Sequence, residues 1–136
     1  MEEILAAATA FRRALEKCHV SIGGGFIAFP KYACGPTSEL LGVYLKDKGL
    51  GKFDYYYAEV PGGNHAWLQK GSIVVDITAD QFPHINNSVI VSKNSEWHQS
   101  LISENKGEFD FRDDIDSAID DENAYKIILQ TIEQST

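Results

Sequence analysis

The apolar positions of the chain recur first at helical spacing and then at strand spacing. Residues 3–19 carry a stripe of apolar side chains at steps of three and four, which is typical of an amphipathic helix. The stripe consists of Ile4, Ala8, Phe11, Leu15 and Cys18. Because Cys18 lies on this stripe, we interpret it as a small buried apolar residue. Three consecutive glycines, residues 23–25, end the segment and open a loop.

A second helix is predicted to begin just after Cys34. Pro36 suits the first turn of a helix, and Lys46 and Lys48 before Gly49 are typical of a helix end. The free N–H groups and the dipole at a helix N-terminus favour a thiolate over a thiol. The sequence therefore singles out Cys34 as a chemically special cysteine.

Segments with strand character follow and predict a sheet. They cover residues 53–60, 65–69, 72–77 and 88–92, and a last helix is predicted at about 117–133. We predict a single α+β domain over residues 1–136. In it, the Cys34 helix packs against an antiparallel sheet of about four strands, with N- and C-terminal helices.

Composition and charge narrow the function classes. The chain has 136 residues, of which 43% are hydrophobic, enough for the core of one domain. Twelve basic and twenty acidic side chains give a net charge of −8, which disfavours nucleic acid and anionic membranes as partners. The acidic start of the chain does not resemble a secretory signal, so we expect a soluble, cytoplasmic protein.

Neither a disulfide scaffold nor a metal centre is expected. The two cysteines are too few for a scaffold and lack zinc-site spacing. Residues 104–122 hold nine acids and two bases, but without the alternating ligands of a calcium loop. We therefore predict no metal and no cofactor, and we interpret the acidic segment as a solvated face.

The segment from His65 to Asp76 predicts a hairpin that pairs a histidine with an aspartate. If Lys70 and Gly71 form a two-residue loop, His65 lies directly across from Asp76 on one face. The other face carries only apolar side chains and is expected to be buried. They are Ala66, Leu68, Ile73, Val75 and Ile77.

The aspartate can orient the imidazole and stabilise its charged form, as the third member of a catalytic triad does. A purely structural His–Asp pair is an equal alternative when the hairpin is taken alone. Cys34 favours the catalytic interpretation, because a helix-terminal thiol, a histidine and a carboxylate make up an activated cysteine nucleophile. The other histidines, His19, His84 and His98, are interpreted as capping or surface residues.

Three short motifs resemble the papain-like cysteine hydrolases in their transglutaminase-like form. They are Ala33-Cys34-Gly35-Pro36-Thr37-Ser38, His65-Ala66-Trp67 and Val75-Asp76-Ile77-Thr78, within about residues 30–82. A similar pattern occurs in the proteases that process lasso peptides. The resemblance implies that Cys34 is the nucleophile, His65 the general base and Asp76 the orienting residue.

The resemblance leaves the oxyanion hole open. Residues 26–33 lack the glutamine that papain-like enzymes place before the cysteine. The backbone N–H of Cys34 and the side chains of Gln81 and Asn64 are the candidates. Trp67 shares the face of His65 and is a candidate wall of the substrate cleft, with core packing as the equal alternative.

The predicted function is a cysteine-dependent amide-bond hydrolase or acyl transferase, such as a thiol protease, a deamidase or a transglutaminase-like enzyme. Its substrate would be a peptide or protein amide. The alternative is a non-catalytic immunity-type binding module that keeps the fold and docks a basic protein partner on acidic residues 110–122. A weaker third interpretation is a redox sensor that uses Cys18 and Cys34.

Overall fold

The computed structural model describes residues 1–114 and 118–135. The helices are α1 (Glu2–Ile22), α2 (Cys34–Asp47), α3 (Glu96–Ser100) and α4 (Ala118–Gln134). The strands are β1 (Asp54–Val60), β2 (Gly63–Lys70), β3 (Ile73–Asp76), β4 (Ile90–Ser92) and β5 (Ser103–Asn105). Residue 117, where the predicted last helix begins, lies outside the described residues.

The five strands form one antiparallel sheet in the order β4-β3-β2-β1-β5. The α+β class is confirmed, but the sheet has five strands instead of about four. The additional strand β5 comes from a polar stretch without an alternating pattern, and it pairs with β1 through Tyr56, Tyr57 and Ala58. Pairing with an existing strand, and not local sequence, makes this segment a strand.

Helices α1 and α2 cover one face of the sheet, α4 packs against α1, and the three helices enclose the main core. The apolar stripe of α1 is buried there as predicted, and Phe11 and Leu15 are fully inaccessible. Leu41 of α2, Leu68 of β2 and Ile128 of α4 belong to the same cluster. The opposite face has a smaller core around Trp67. The sheet is therefore covered on both faces near its centre.

The hairpin register differs from the predicted one. The structure places Leu68 opposite Val75 and Lys70 opposite Ile73, whereas the prediction placed Leu68 opposite Ile73. Gly71 takes the first loop position with φ +59°, which two-residue hairpin turns require there. The loop thus consists of residues 71 and 72, whereas residues 70 and 71 were predicted.

The observed pairing of β2 with β3 is shifted by two residues from the predicted pairing. An even shift leaves every side chain on its predicted face. The apolar face of the hairpin is buried against the helices as predicted, with Ala66, Leu68 and Val75 almost inaccessible. His65 and Asp76 become diagonal neighbours on the opposite face, which is still within reach of an imidazole.

Within the described ranges, every helix is too short or too polar to span a bilayer.

Candidate active site

Cys34 is the first residue of α2, so the helix begins one residue earlier than the sequence predicts, and its side chain bonds to β2. The pairing of β2 with β3 runs from Lys70 back to Leu68 only, although β2 itself starts at Gly63. The main chain of Ala66 therefore has no partner in β3 and is available to other groups. The N–H of Ala66 donates to the Cys34 sulfur, and the Ser38 hydroxyl donates to the Ala66 carbonyl at 3.4 Å. The first turn of α2 thereby fixes the thiol beside His65.

His65 is fully buried and uses both ring nitrogens. Its Nε2 lies 2.6 Å from Oδ2 of Asp76, so Nε2–H donates to the carboxylate. Its Nδ1 lies 3.3 Å from the carboxamide nitrogen of Gln81. The ring also hydrogen-bonds with the thiol of Cys34. Because Nε2 is engaged by Asp76, Nδ1 is the nitrogen that can take the thiol proton.

Asp76 ends β3 with a carboxylate that is only 2% exposed and fully hydrogen-bonded. Oδ1 accepts from the backbone N–H of Thr78 at 3.0 Å. Oδ2 accepts from His65 and also lies 2.7 Å from Nε2 of His98. A buried carboxylate is costly unless donors surround it, and here they do.

These contacts shift the pKa values of all three groups. Burial opposes the charged form of His65, but the charge and hydrogen bond of Asp76 outweigh it and raise the pKa from 6.5 to about 9. Burial likewise opposes the Asp76 carboxylate, yet the charge of His65 holds its pKa well below its usual range. For Cys34, the hydrogen bond and charge of His65 exceed the effect of burial and lower the pKa of the thiol. The arrangement favours a thiolate–imidazolium pair.

The prediction that His98 is a capping or surface residue is wrong. The side chain is 3% exposed and lies on the carboxylate of Asp76. Its Nδ1 forms a short hydrogen bond with the hydroxyl of Ser95, and its ring meets that of Trp67 at 4.9 Å. The i, i+3 spacing of Ser95 and His98 at a helix start was the available sequence signal, but nothing local links it to Asp76.

Arg12 is a second residue that sequence analysis missed. It is 7% exposed, donates to both carboxylate oxygens of Asp80 at 2.7 and 2.9 Å, and donates to the carbonyl of Ile77 at 2.8 Å. It thereby fixes the segment between Asp76 and Gln81 against α1. The sequence did indicate that Arg12 is buried, because Arg12 lies four residues after Ala8, on the helix face that carries the apolar stripe.

Two aromatic side chains cover the ring of His65. Phe82 meets it edge-on at 5.1 Å and Trp97 lies 5.5 Å away. Both are partly exposed, so they form the boundary between the imidazole and solvent. Water is thus kept from the His65–Asp76 pair, which strengthens their electrostatic interaction.

The remaining candidates lie in different environments. Gln81 is next to Nδ1 of His65, whereas Asn64 is exposed on the strand. Trp67 is fully buried, donates to Gln69 at 3.1 Å and supports the site from behind. Its contacts are therefore those of core packing.

The other thiol and the other two histidines are placed elsewhere. Cys18 is buried on α1, as predicted, and burial raises the pKa of its thiol. Both cysteines are free. His19 donates to the carbonyls of Phe26 and Ile27, a capping role as predicted, and His84 is exposed.

His65, Asp76 and His98 are the three side chains, among the described residues, whose donor atoms lie close enough to share a metal ion, within 4.8 Å. Protons already account for the two short contacts to Asp76, at 2.6 and 2.7 Å. Cys34 bonds the other side of the His65 ring and therefore does not complete such a ligand set. The geometry fits a hydrogen-bonded chain better than a tetrahedral site.

Comparison of the chain with protein families, curated proteins and solved structures finds no match. The resemblance to papain-like hydrolases thus stays a prediction that rests on the motifs alone.

Proposed function

We propose that the protein is a cysteine-dependent amide-bond hydrolase or acyl transferase with Cys34 as nucleophile. The observation that carries the proposal is the continuous hydrogen-bonded chain from Cys34 through His65 to Asp76. Its members come from three different elements, α2, β2 and β3. A thiol at a helix N-terminus, a base of raised pKa and a buried carboxylate are the components of an activated nucleophile.

The reaction proceeds through a thioester. The thiolate of Cys34 attacks the carbonyl carbon of the amide, and the carbonyl electron pair moves onto oxygen. The tetrahedral intermediate collapses as the C–N bond breaks, and the imidazolium of His65 gives its proton to the leaving amine. His65 then takes a proton from water or from an incoming amine, which attacks the thioester carbon. The C–S bond breaks and the proton returns to the Cys34–His65 pair.

Gln81 is the side chain that best fits the oxyanion hole. Its carboxamide nitrogen is 3.3 Å from Nδ1 of His65, the nitrogen that serves Cys34. The backbone N–H of Cys34, in the first turn of α2, provides the second donor. Two donors of this kind stabilise the developing oxygen charge. Arg12 holds the segment that carries Gln81 and so supports this geometry indirectly.

The first test measures the reactivity of Cys34 without a substrate. The protein is treated with iodoacetamide from pH 5 to 9, and labelling at each cysteine is followed by mass spectrometry. Cys18 is the internal control, because its buried thiol has a raised pKa. An ordinary thiol has a pKa of about 8.5, and we expect fast labelling of Cys34 below that pH. Labelling should be slower in His65→Ala. Ordinary reactivity at Cys34 would refute the proposal and favour the acidic binding module.

The second test identifies the type of reaction. A panel of synthetic peptides that contain Gln and Asn side chains is incubated with the protein and a primary amine. Hydrolysis splits the peptide, deamidation converts a carboxamide to a carboxylate, and acyl transfer attaches the amine. Cys34→Ala is expected to abolish each of these while the melting temperature stays near that of the wild type. Turnover by Cys34→Ala would exclude Cys34 as the nucleophile.

A further inference from the structure

One buried side chain of the site, that of His98, has no role in the proposed reaction. Nε2 of His98 lies 2.7 Å from Oδ2 of Asp76, and Nε2 of His65 lies 2.6 Å from the same oxygen. All three side chains are at most 3% exposed. Two imidazoles therefore share one carboxylate oxygen in a water-excluded environment, although one imidazole suffices to form a triad.

The orientation of His98 is fixed at both nitrogens and by its neighbours. The Ser95 hydroxyl is bonded to Nδ1, and the rings of Trp67 and Trp97 lie 4.9 and 4.8 Å away. When the hydroxyl donates to Nδ1, the proton of the neutral ring is on Nε2 and points at Asp76. Ser95 thus fixes the tautomer of His98 as the donor at Nδ1, the reverse of Asp76, which accepts from His65.

We propose that His98 is a positioning residue, which donates to the Asp76 carboxylate beside His65 and thereby sets how strongly that carboxylate holds the His65 proton. The inference rests on the proposed function and extends the chain to Ser95, His98, Asp76, His65 and Cys34. The backbone N–H of Thr78 holds Oδ1, and His98 holds Oδ2. Thr78 and His65 still hold the two carboxylate oxygens when His98 is replaced, so the carboxylate keeps its place beside His65 and only its charge is less shared.

This role has an electrostatic consequence. A hydrogen bond to an ionised carboxylate disperses its charge and makes it a weaker base. Without the N–H of His98, the Asp76 charge acts more strongly on His65 and holds its proton more tightly. The pH at which His65 loses its proton then rises. A residue that only fills space beside Trp67 would change the melting temperature but not this pH.

The test is an NMR titration of the histidine rings in protein with isotopically labelled histidine. His98→Leu removes the donor, whereas His98→Gln keeps an N–H of similar reach that does not titrate. His84→Gln is the matched control, because His84 is exposed and lies against Trp97. Resonances are assigned from these variants and from His65→Ala.

We expect the His65 titration midpoint to rise by about one pH unit in His98→Leu, the size of effect that one bond to a charged group produces. His98→Gln and His84→Gln should keep the wild-type midpoint. The wild type should show two downfield ring N–H signals, and His98→Gln should lose one of them. An unchanged or lower midpoint in His98→Leu would overturn the inference.

Two additions keep the test decisive. If His98→Leu does not fold, Ser95→Ala is measured instead. A smaller rise in the His65 titration midpoint is then expected, and an unchanged midpoint would count against the inference. Zn²⁺ is also titrated into chelator-treated wild type, and stoichiometric binding with loss of both N–H signals would overturn the positioning role in favour of a metal site. The titration does not depend on the nucleophilicity of Cys34, so unreactive Cys34 refutes the proposed function separately.

Discussion

Replacing Asp76 by Asn tests the electrostatic logic of the site most directly. The substitution keeps the size of the side chain and removes its charge, beside a histidine that is fully buried. The rise in the His65 pKa from 6.5 to about 9 corresponds to roughly 3 kcal/mol at 1.36 kcal/mol per pKa unit. Because burial by itself disfavours the imidazolium, His65 in Asp76→Asn is expected to be neutral at pH 6.5.

The effect on Cys34 follows from the loss of the imidazolium. An ordinary thiol with a pKa of about 8.5 is about 1% ionised at pH 6.5, so the thiolate population falls by up to about 100-fold. The more basic thiolate of the variant is intrinsically more nucleophilic, by about 0.4–0.5 log units for each unit by which its pKa exceeds that of the wild-type thiol. The net expectation is labelling by iodoacetamide up to about tenfold slower at pH 6.5, and faster than wild type near pH 9, where both thiols are mostly ionised.

Turnover is expected to fall further than labelling. Amide cleavage also needs His65 in the correct tautomer and as a proton donor, and loss of the aspartate in triads costs up to about 10⁴-fold in kcat. Labelling is measured by mass spectrometry and turnover on the peptide identified by the panel. Equal labelling of Asp76→Asn and wild type at pH 6.5, with both proteins folded by circular dichroism, would refute the reasoning.

Three further predictions concern the oxyanion hole, the buried arginine and pH. Gln81→Ala is expected to lower turnover by about 10²–10³-fold and to leave iodoacetamide labelling nearly unchanged, because alkylation develops no oxyanion. Asn64→Ala, compared in the same assay, should keep turnover, and the reverse result would assign the oxyanion donor to Asn64. Arg12→Met should lower the free energy of unfolding in urea by about 2–3 kcal/mol, because it leaves buried acceptors without their donor, whereas the exposed control Arg13→Met should change it little. The raised pKa of His65 stabilises the fold fully below about pH 6.5, and this contribution is lost as pH rises to about 9. In the wild type the lowered pKa of the Cys34 thiol offsets this proton balance, so the measurement is made in Cys34→Ala. Its melting temperature should fall over that interval, and less in the double variant Cys34→Ala/Asp76→Asn, and equal slopes would contradict the prediction.

Local sequence was sufficient for much of the architecture. The spacing of apolar residues defines α1 and α2, and the glycine and proline positions define where they end or begin. The alternation along β2 and β3 determines which side chains share a face. For that reason the proximity of His65 and Asp76 was predicted although the register was off by two residues. Period-two patterns fix the face but not the partner.

Tertiary structure decided the contacts between distant segments. Asp76 and His98 are separated by 22 residues, and Arg12 and Asp80 by 68. Both pairs join charged or titratable side chains, and the sequence around each of these residues does not indicate its partner. No local pattern encodes them, because each depends on how helices and loops close over the sheet. The sequence by itself thus determined which residues can do chemistry, and the packing of α1 and α3 against the sheet decided what surrounds them and shifts their pKa values.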